Sequence, residues 1–214
     1  MADGDARRVP AREGRGEVRE KGSRFFAFAV RAGTVADAEA FVERLEREHH
    51  DATHVAFAWK IGGGPEAVRR SSDAGEPAGT AGKPILAAIE SAGLVDVAAA
   101  VVRHFGGTKL GTGGLVRAYR SAAERALADA GSTVVYDVIR LRVRCPFDRA
   151  AVVRRLLDPP AVRLVAERFD PEPVLELEVR ESRVAALKAA LAAARLEALE
   201  AGSGAEVGGG GAGR

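Results

Sequence analysis

Cysteine is nearly absent: Cys145 stands alone, so neither an internal disulfide nor a thiolate metal cluster can form. Aromatic residues are 5% of the chain, which leaves the core to aliphatic side chains. No uninterrupted apolar run approaches the ~18 residues of a membrane span. Residues 1–21 carry alternating charges and lack the apolar centre of a secretory signal. These absences predict a soluble, unexported, cytoplasmic protein with no membrane partner. An excess of one charge is missing too. With 32 Lys and Arg against 30 Asp and Glu, the net charge of +2 is too small for wholesale polyanion binding, so any electrostatic footprint must be local.

What is present is the composition of a soluble globular protein, 47% hydrophobic and 29% charged over 214 residues, enough for one large or two small domains. Residues 1–22 show no hydrophobic periodicity and are predicted to be disordered, as is the glycine-rich stretch 202–214. Residues 24–30 read as a strand. Thr34 and Asp37 form a capping-box pattern ahead of a helix whose apolar face is Val35, Ala38, Phe41, Val42 and Leu45. A second strand spans 54–61, and residues 62–79 read as a long mobile loop. Thr80-Ala-Gly-Lys-Pro84 opens a helix closed by Gly93. An apolar strand over 97–103 leads into a glycine loop and then a helix from Leu115 to Ala130. From Tyr136 the pattern restarts, with Ile139, Leu141, Val143 and Cys145 alternating with Arg140, Arg142 and Arg144. The order that follows is β-α-β-β-α with a short final strand, and Ser182 is expected to cap the last helix. The fold class is α/β, a two-layer α+β arrangement, with domains at 23–133 and 134–201.

The stretch with the most chemistry is residues 97–119. Five glycines fall within nine residues, at Gly106, Gly107, Gly111, Gly113 and Gly114, and no carboxylate lies between Asp96 and Glu124. Arg103, Lys109, Arg117 and Arg120 are cationic there, and His104 can become so. Backbone amides freed by glycine, a helix N-terminus downstream and an acid-free cationic surround are the ingredients of a phosphate cradle. The spacing matches neither Gly-x-x-x-x-Gly-Lys-Ser/Thr nor Gly-x-Gly-x-x-Gly. Elsewhere the bland readings prevail. Arg140, Arg142 and Arg144 can pair across strands with Glu176 and Glu178. His49, His50 and His54 lack a third metal ligand, and Ser71, Ser72 and Asp73 suit a turn or a helix cap.

Two long motifs, Ser72-Asp-Ala-Gly-Glu-Pro-Ala-Gly-Thr-Ala-Gly-Lys-Pro84 and Val101-Val-Arg-His-Phe-Gly-Gly-Thr-Lys-Leu-Gly-Thr-Gly-Gly-Leu-Val-Arg-Ala-Tyr119, resemble those of the IMPACT family, in particular its bacterial YigZ branch. The motif residues of the first are Ser72, Asp73, Gly75, Glu76, Pro77, Gly79 and Thr80. The chain departs from the family pattern at Ala74, where a second Asp is common, and at His104, where an aromatic is usual. The resemblance implies an N-terminal domain akin to domain IV of elongation factor G and a ferredoxin-like domain akin to its domain V. It also implies regulation of translation by a protein that is not an enzyme and needs no cofactor or metal. RNA or the ribosome is then the expected partner, met through Lys83, Arg103, His104, Gly106, Gly107, Lys109, Gly111, Thr112, Gly113, Gly114 and Arg117. The alternative is an enzyme or sensor that holds a nucleotide or small phosphorylated ligand in the same loop.

Overall fold

The computed structural model describes residues 5–207. In chain order its elements are β1 (Ala6–Pro10), β2 (Gly14–Glu20), β3 (Ser23–Arg31), α1 (Val35–Glu48), β4 (His54–Ile61), β5 (Val68–Ser72), α2 (Gly82–Ala92), β6 (Val97–His104), α3 (Gly111–Ala130), β7 (Ser132–Arg144), α4 (Phe147–Arg155), β8 (Val162–Asp170), β9 (Glu172–Arg180), α5 (Glu181–Ala193) and β10 (Ala198–Val207). They divide into one compact unit of residues 8–133 and another of residues 5–7 with 134–207. No helix among the described residues is long and apolar enough to cross a membrane.

The first unit is built on a sheet of order β2-β3-β6-β4-β5 in which every neighbour is antiparallel. Its centre is β6, where Val97, Ala98, Ala99, Ala100, Val101, Val102 and Arg103 are all buried. A strand apolar on both faces requires cover on both. Helices α2 and α3 pack on the face that presents Phe25, Ala27, Ala56, Ala58, Ala99 and Val101. Helix α1 packs on the other, its Ala38, Phe41, Val42 and Leu45 against Val55, Trp59, Ala98, Ala100 and Val102. The unit therefore has three layers, and the two-layer expectation is corrected by the double-sided apolarity of β6. The capping box at the start of α1 forms as expected. Thr34 N–H donates to Asp37 Oδ2 at 2.9 Å and Asp37 N–H donates to Thr34 Oγ1 at 3.1 Å.

Two segments expected to lack order are strands. Residues 68–72 of the predicted mobile loop form the edge strand β5, paired with β4. Residues 6–10 and 14–20 of the predicted disordered tail form β1 and β2. The strand β2 escapes pattern recognition because its inward positions are glycines. A Cβ on Gly14 would stand 2.2 Å from the Ala126 carbonyl oxygen. Bare backbone thus lies against the Ala122, Ala126 and Ala130 face of α3, and Val18 is the one apolar side chain on the inward positions of the strand.

In the second unit, β7 pairs with β9 and β10, β9 pairs with β8, and β1 also pairs with β7. The order β-α-β-β-α-β is that of a split β-α-β unit. Helices α4 and α5 cover one face, over Leu141, Val143, Leu175, Leu177 and Val179. Fully burying each such aliphatic side chain contributes about 1.5–3 kcal/mol. The last strand is longer than expected, since residues 202–207 belong to β10 and not to a tail; residues 1–4 and 208–214 lie outside the described residues. Ser182 does not cap α5. Its N–H donates to both carboxylate oxygens of Asp5 at 3.0 Å, so the cap comes from the N-terminal segment.

Candidate functional site

Helix α3 starts at Gly111, four residues earlier than the periodicity predicts, so Gly111, Thr112, Gly113 and Gly114 form its first turn and not a loop. The first N–H groups of a helix have no intrahelical acceptor. Leu110, at the cap position, supplies no side-chain acceptor, and glycine has no side chain to cover the amides. The turn is exposed at Gly111, Thr112 and Gly113. The loop before it is held by two hydroxyls: Phe105 N–H donates to Thr53 Oγ1 at 3.1 Å and Gly106 N–H donates to Ser23 Oγ at 3.2 Å. Gly106 is required for close approach, because a Cβ there would be 1.9 Å from the Gly22 carbonyl carbon.

The cations of the sequence motif do not converge as a group. Lys109 and Arg117 are exposed and have no ion-pair partner among the described residues. Arg120 is occupied by Glu124 at 2.8 Å. Arg103 and His104 alternate on β6 and therefore face opposite sides of the sheet. His104 lies on the α1 side, edge-on to Phe26 and 3.9 Å from Asp51. Lys83 is exposed in the first turn of α2, which packs on the same sheet face as α3.

Arg103, expected to touch RNA, is instead 5% exposed. Its Nη1 donates to Glu76 Oε1 at 2.6 Å, and the guanidinium lies 5.4 Å from the ring centroids of both Phe25 and Phe105. Tyr119 Oη donates to the same Glu76 oxygen at 2.7 Å. The interval free of carboxylates in sequence is therefore not free of them in space. Burial, with the Glu76 hydrogen bond second, pushes the Tyr119 hydroxyl far above its ordinary pKa, so it stays a donor. His54 completes the surround, with Nδ1 2.7 Å from the Ala74 carbonyl and Nε2 3.9 Å from Glu76.

The first motif folds on itself to place Glu76. Ala74 N–H donates to Ser72 Oγ at 3.2 Å, Glu76 N–H to the Asp73 carbonyl at 3.0 Å, and Thr80 Oγ1 to the Pro77 carbonyl at 2.7 Å. Gly75 adopts positive φ beside the His54 ring. The Asp73 carboxylate accepts from the N–H groups of Gly79, Ala81 and Gly82 at 2.7 to 2.9 Å and so caps α2. Burial alone would raise its pKa, but these donors, with Lys83, hold it below the usual carboxylate range. A depressed folded-state pKa stabilises at pH above the unfolded value, about 3.9, and the contribution is lost as pH falls through the folded value. Asp73→Ala is expected to cost about 1–2 kcal/mol at pH 7. Urea midpoints at pH 7 and pH 3 should then differ less in the variant than in the parent. An equal pH dependence in both would remove the capping role.

His50 and His54 do not share a helix, since α1 ends at Glu48 and His54 opens β4. No group of three or more His, Cys, Asp or Glu side chains among the described residues is placed to hold a metal ion. The cross-strand pairs of the second unit form: Arg142 reaches Glu176 at 3.1 Å and Arg140 reaches Glu178 at 3.5 Å. The sequence reading missed the joining of Glu76 to Arg103 and Tyr119: the signal available was that Arg103 and Tyr119 stand at inward positions of β6 and α3, while Glu76 lies in a turn with no period to read.

Residues 21–127 match the family of the Impact N-terminal domain. Similarity extends over 80% of the chain to two bacterial relatives, each 34% identical. One is an IMPACT family member of Haemophilus influenzae, of which 84% is covered, and the other is the IMPACT family member YigZ of Escherichia coli, of which 85% is covered. Among solved structures, a protein described only as hypothetical superposes with a TM-score of 0.66 at 31% identity, over 91% of this chain and 97% of that one. The matched residues contain both motifs, the Glu76 network that joins them and the uncovered first turn of α3, and the similarity runs on through the second unit: the chain belongs to the IMPACT family, on its YigZ branch.

Proposed function

We propose that this protein is a non-enzymatic, translation-associated factor that binds RNA phosphates at the start of α3. The observation that carries the reading is the uncapped, exposed first turn of glycines, flanked by the unpaired cations Lys109 and Arg117. Exposed amides at a helix N-terminus favour an anion, and the helix dipole adds to them. Lys83 extends the basic surface on the same helical layer. A likeness of the first unit to domain IV of elongation factor G, and of the second to domain V, is part of the same proposal and would make ribosomal RNA the partner.

The test is RNA association across a salt series. Neutralised phosphates release counterions, giving a slope of about 0.7 in log affinity per phosphate for single strands. Converting Lys109 and Arg117 to Gln is expected to weaken binding similarly across sequences and to lower the slope by about 1.4. If the double variant lost nucleotide binding by calorimetry while RNA association kept its salt dependence, the site would belong to a phosphorylated small ligand instead.

A further inference from the structure

The outer face of the second unit's sheet, opposite α4 and α5, is organised in rows across β7, β9 and β8. The registers align Arg140, Glu178 and Arg163 in one row, Arg142, Glu176 and Ala166 in the next, and Arg144, Val174 and Arg168 in the third. Five arginines thus share the face with two glutamates in these rows. Glu178 pairs with Arg140 and Arg163, and Glu176 with Arg142 and Arg168. In the third row the carboxylate is replaced by Val174, and Arg144, exposed, has no ion-pair partner among the described residues. A cavity of about 160 Å³ opens there, lined by Arg142, Arg144, Arg168 and Val174. Glu172, the next carboxylate along β9, does not line it.

We infer that this cavity is a phosphate site for an RNA backbone, with Arg144 as its primary contact and Arg142 and Arg168 as shared ones. Three guanidiniums line this position, and the carboxylate paired with them, Glu176, already serves two of them. These three guanidiniums and that one carboxylate sum to a local charge of +2. Guanidinium forks match phosphate oxygens bidentately, and a pair shared on one carboxylate leaves N–H donors over. Val174 lines the cavity where the neighbouring rows carry a glutamate. The cross-strand pairing described above stands for Arg140 and excludes it from the site; it accounts for only part of Arg142 and for none of Arg144.

The inference rests on RNA being the partner of this protein, and not on the glycine turn of α3. Its test uses the full chain and a single-stranded RNA of mixed sequence, with inorganic phosphate as a second probe. Arg144→Gln is expected to weaken RNA about fivefold and to lower the salt slope by about 0.7, the loss of one phosphate contact. Glu176→Gln frees two guanidiniums and is expected to strengthen RNA by a comparable factor, a gain that a purely structural role for the row would not produce. Arg140→Gln should stay within about twofold of the parent. Side-chain Nε–Hε resonances of Arg142, Arg144 and Arg168 should shift on RNA addition. Binding unchanged in both Arg144→Gln and Glu176→Gln, with the Lys109 and Arg117 variant weakened, would overturn this site alone. Shifts with inorganic phosphate but not with RNA would make it a free-anion pocket and overturn the assignment to RNA. No RNA association by the parent protein would remove both readings together.

Discussion

Replacing Glu76 with alanine is expected to lower the unfolding free energy of the first unit by about 3–5 kcal/mol, the cost of removing one partner from a buried ion pair. Two donors lose their acceptor at once: the Arg103 guanidinium and the Tyr119 hydroxyl both converge on Glu76 Oε1. Arg103 is left with the Ser23 hydroxyl at 3.4 Å and the Phe25 and Phe105 rings, none of which carries a charge to offset its own. Against a typical domain stability of about 5–15 kcal/mol, a loss of this size brings the unit close to unfolding. Glu76→Gln keeps an acceptor for both donors and should cost clearly less. Urea denaturation followed by Trp59 fluorescence reads both variants. A loss below about 1 kcal/mol for Glu76→Ala would mean that the three groups do not act together. The same geometry warns against a simple reading of Arg103 variants, in which any fall in RNA affinity reflects unfolding and not a lost contact.

Gly106→Ala should be the most damaging change among the glycines of the second motif. The new methyl would fall 1.9 Å from the Gly22 carbonyl carbon and 2.3 Å from Ser23 N, both backbone atoms that no rotamer change can move. The loop must retreat from the β2–β3 turn, and the Gly106 bond to Ser23 Oγ goes with it. Forced overpacking of this kind costs about 3 kcal/mol at the upper end of the usual range. Gly113→Ala is the contrast, because its Cβ would first meet the flexible end of Arg117 at 3.5 Å. There the gain in helix propensity, about 0.5–1 kcal/mol, should make the variant neutral or stabilised. Calorimetric unfolding of the two proteins separates them, and similar midpoints would show that the close approach at Gly106 is not required.

How much of this was legible depended on how far each determinant lay from its partner in the chain. The Thr34 and Asp37 box and the apolar face of α1 are local, and the sequence reading places them within a residue. The strand–glycine–helix order of residues 97–130 is equally local, but the helix start is misplaced at Leu115 because glycines carry no periodicity to read. The same blindness conceals β2, whose inward side carries Gly14, Gly16 and a single apolar residue, Val18. The candidate site was overestimated for a different reason. An acid-free interval along the chain says nothing of Glu76, which arrives from 27 residues upstream and takes Arg103 out of solvent. Of the cations expected to surround the loop, Lys109 and Arg117 remain available to a ligand there.

The Asp5 cap on α5 has a consequence for how the molecule is made. Asp5 and Ser182 are 177 residues apart, and β1 joins a sheet whose other strands lie beyond residue 131. Synthesis delivers residues 8–133 early, and their sheet needs no later segment to close. Residues 5–10 must instead wait, β1 with an unpaired edge until β7 has emerged and Asp5 until α5 has. Closing so long a loop is a late event, and an exposed edge in the interval is where nascent chains go astray. For the second unit, a strand made before the first unit's sheet completes a sheet that forms after it.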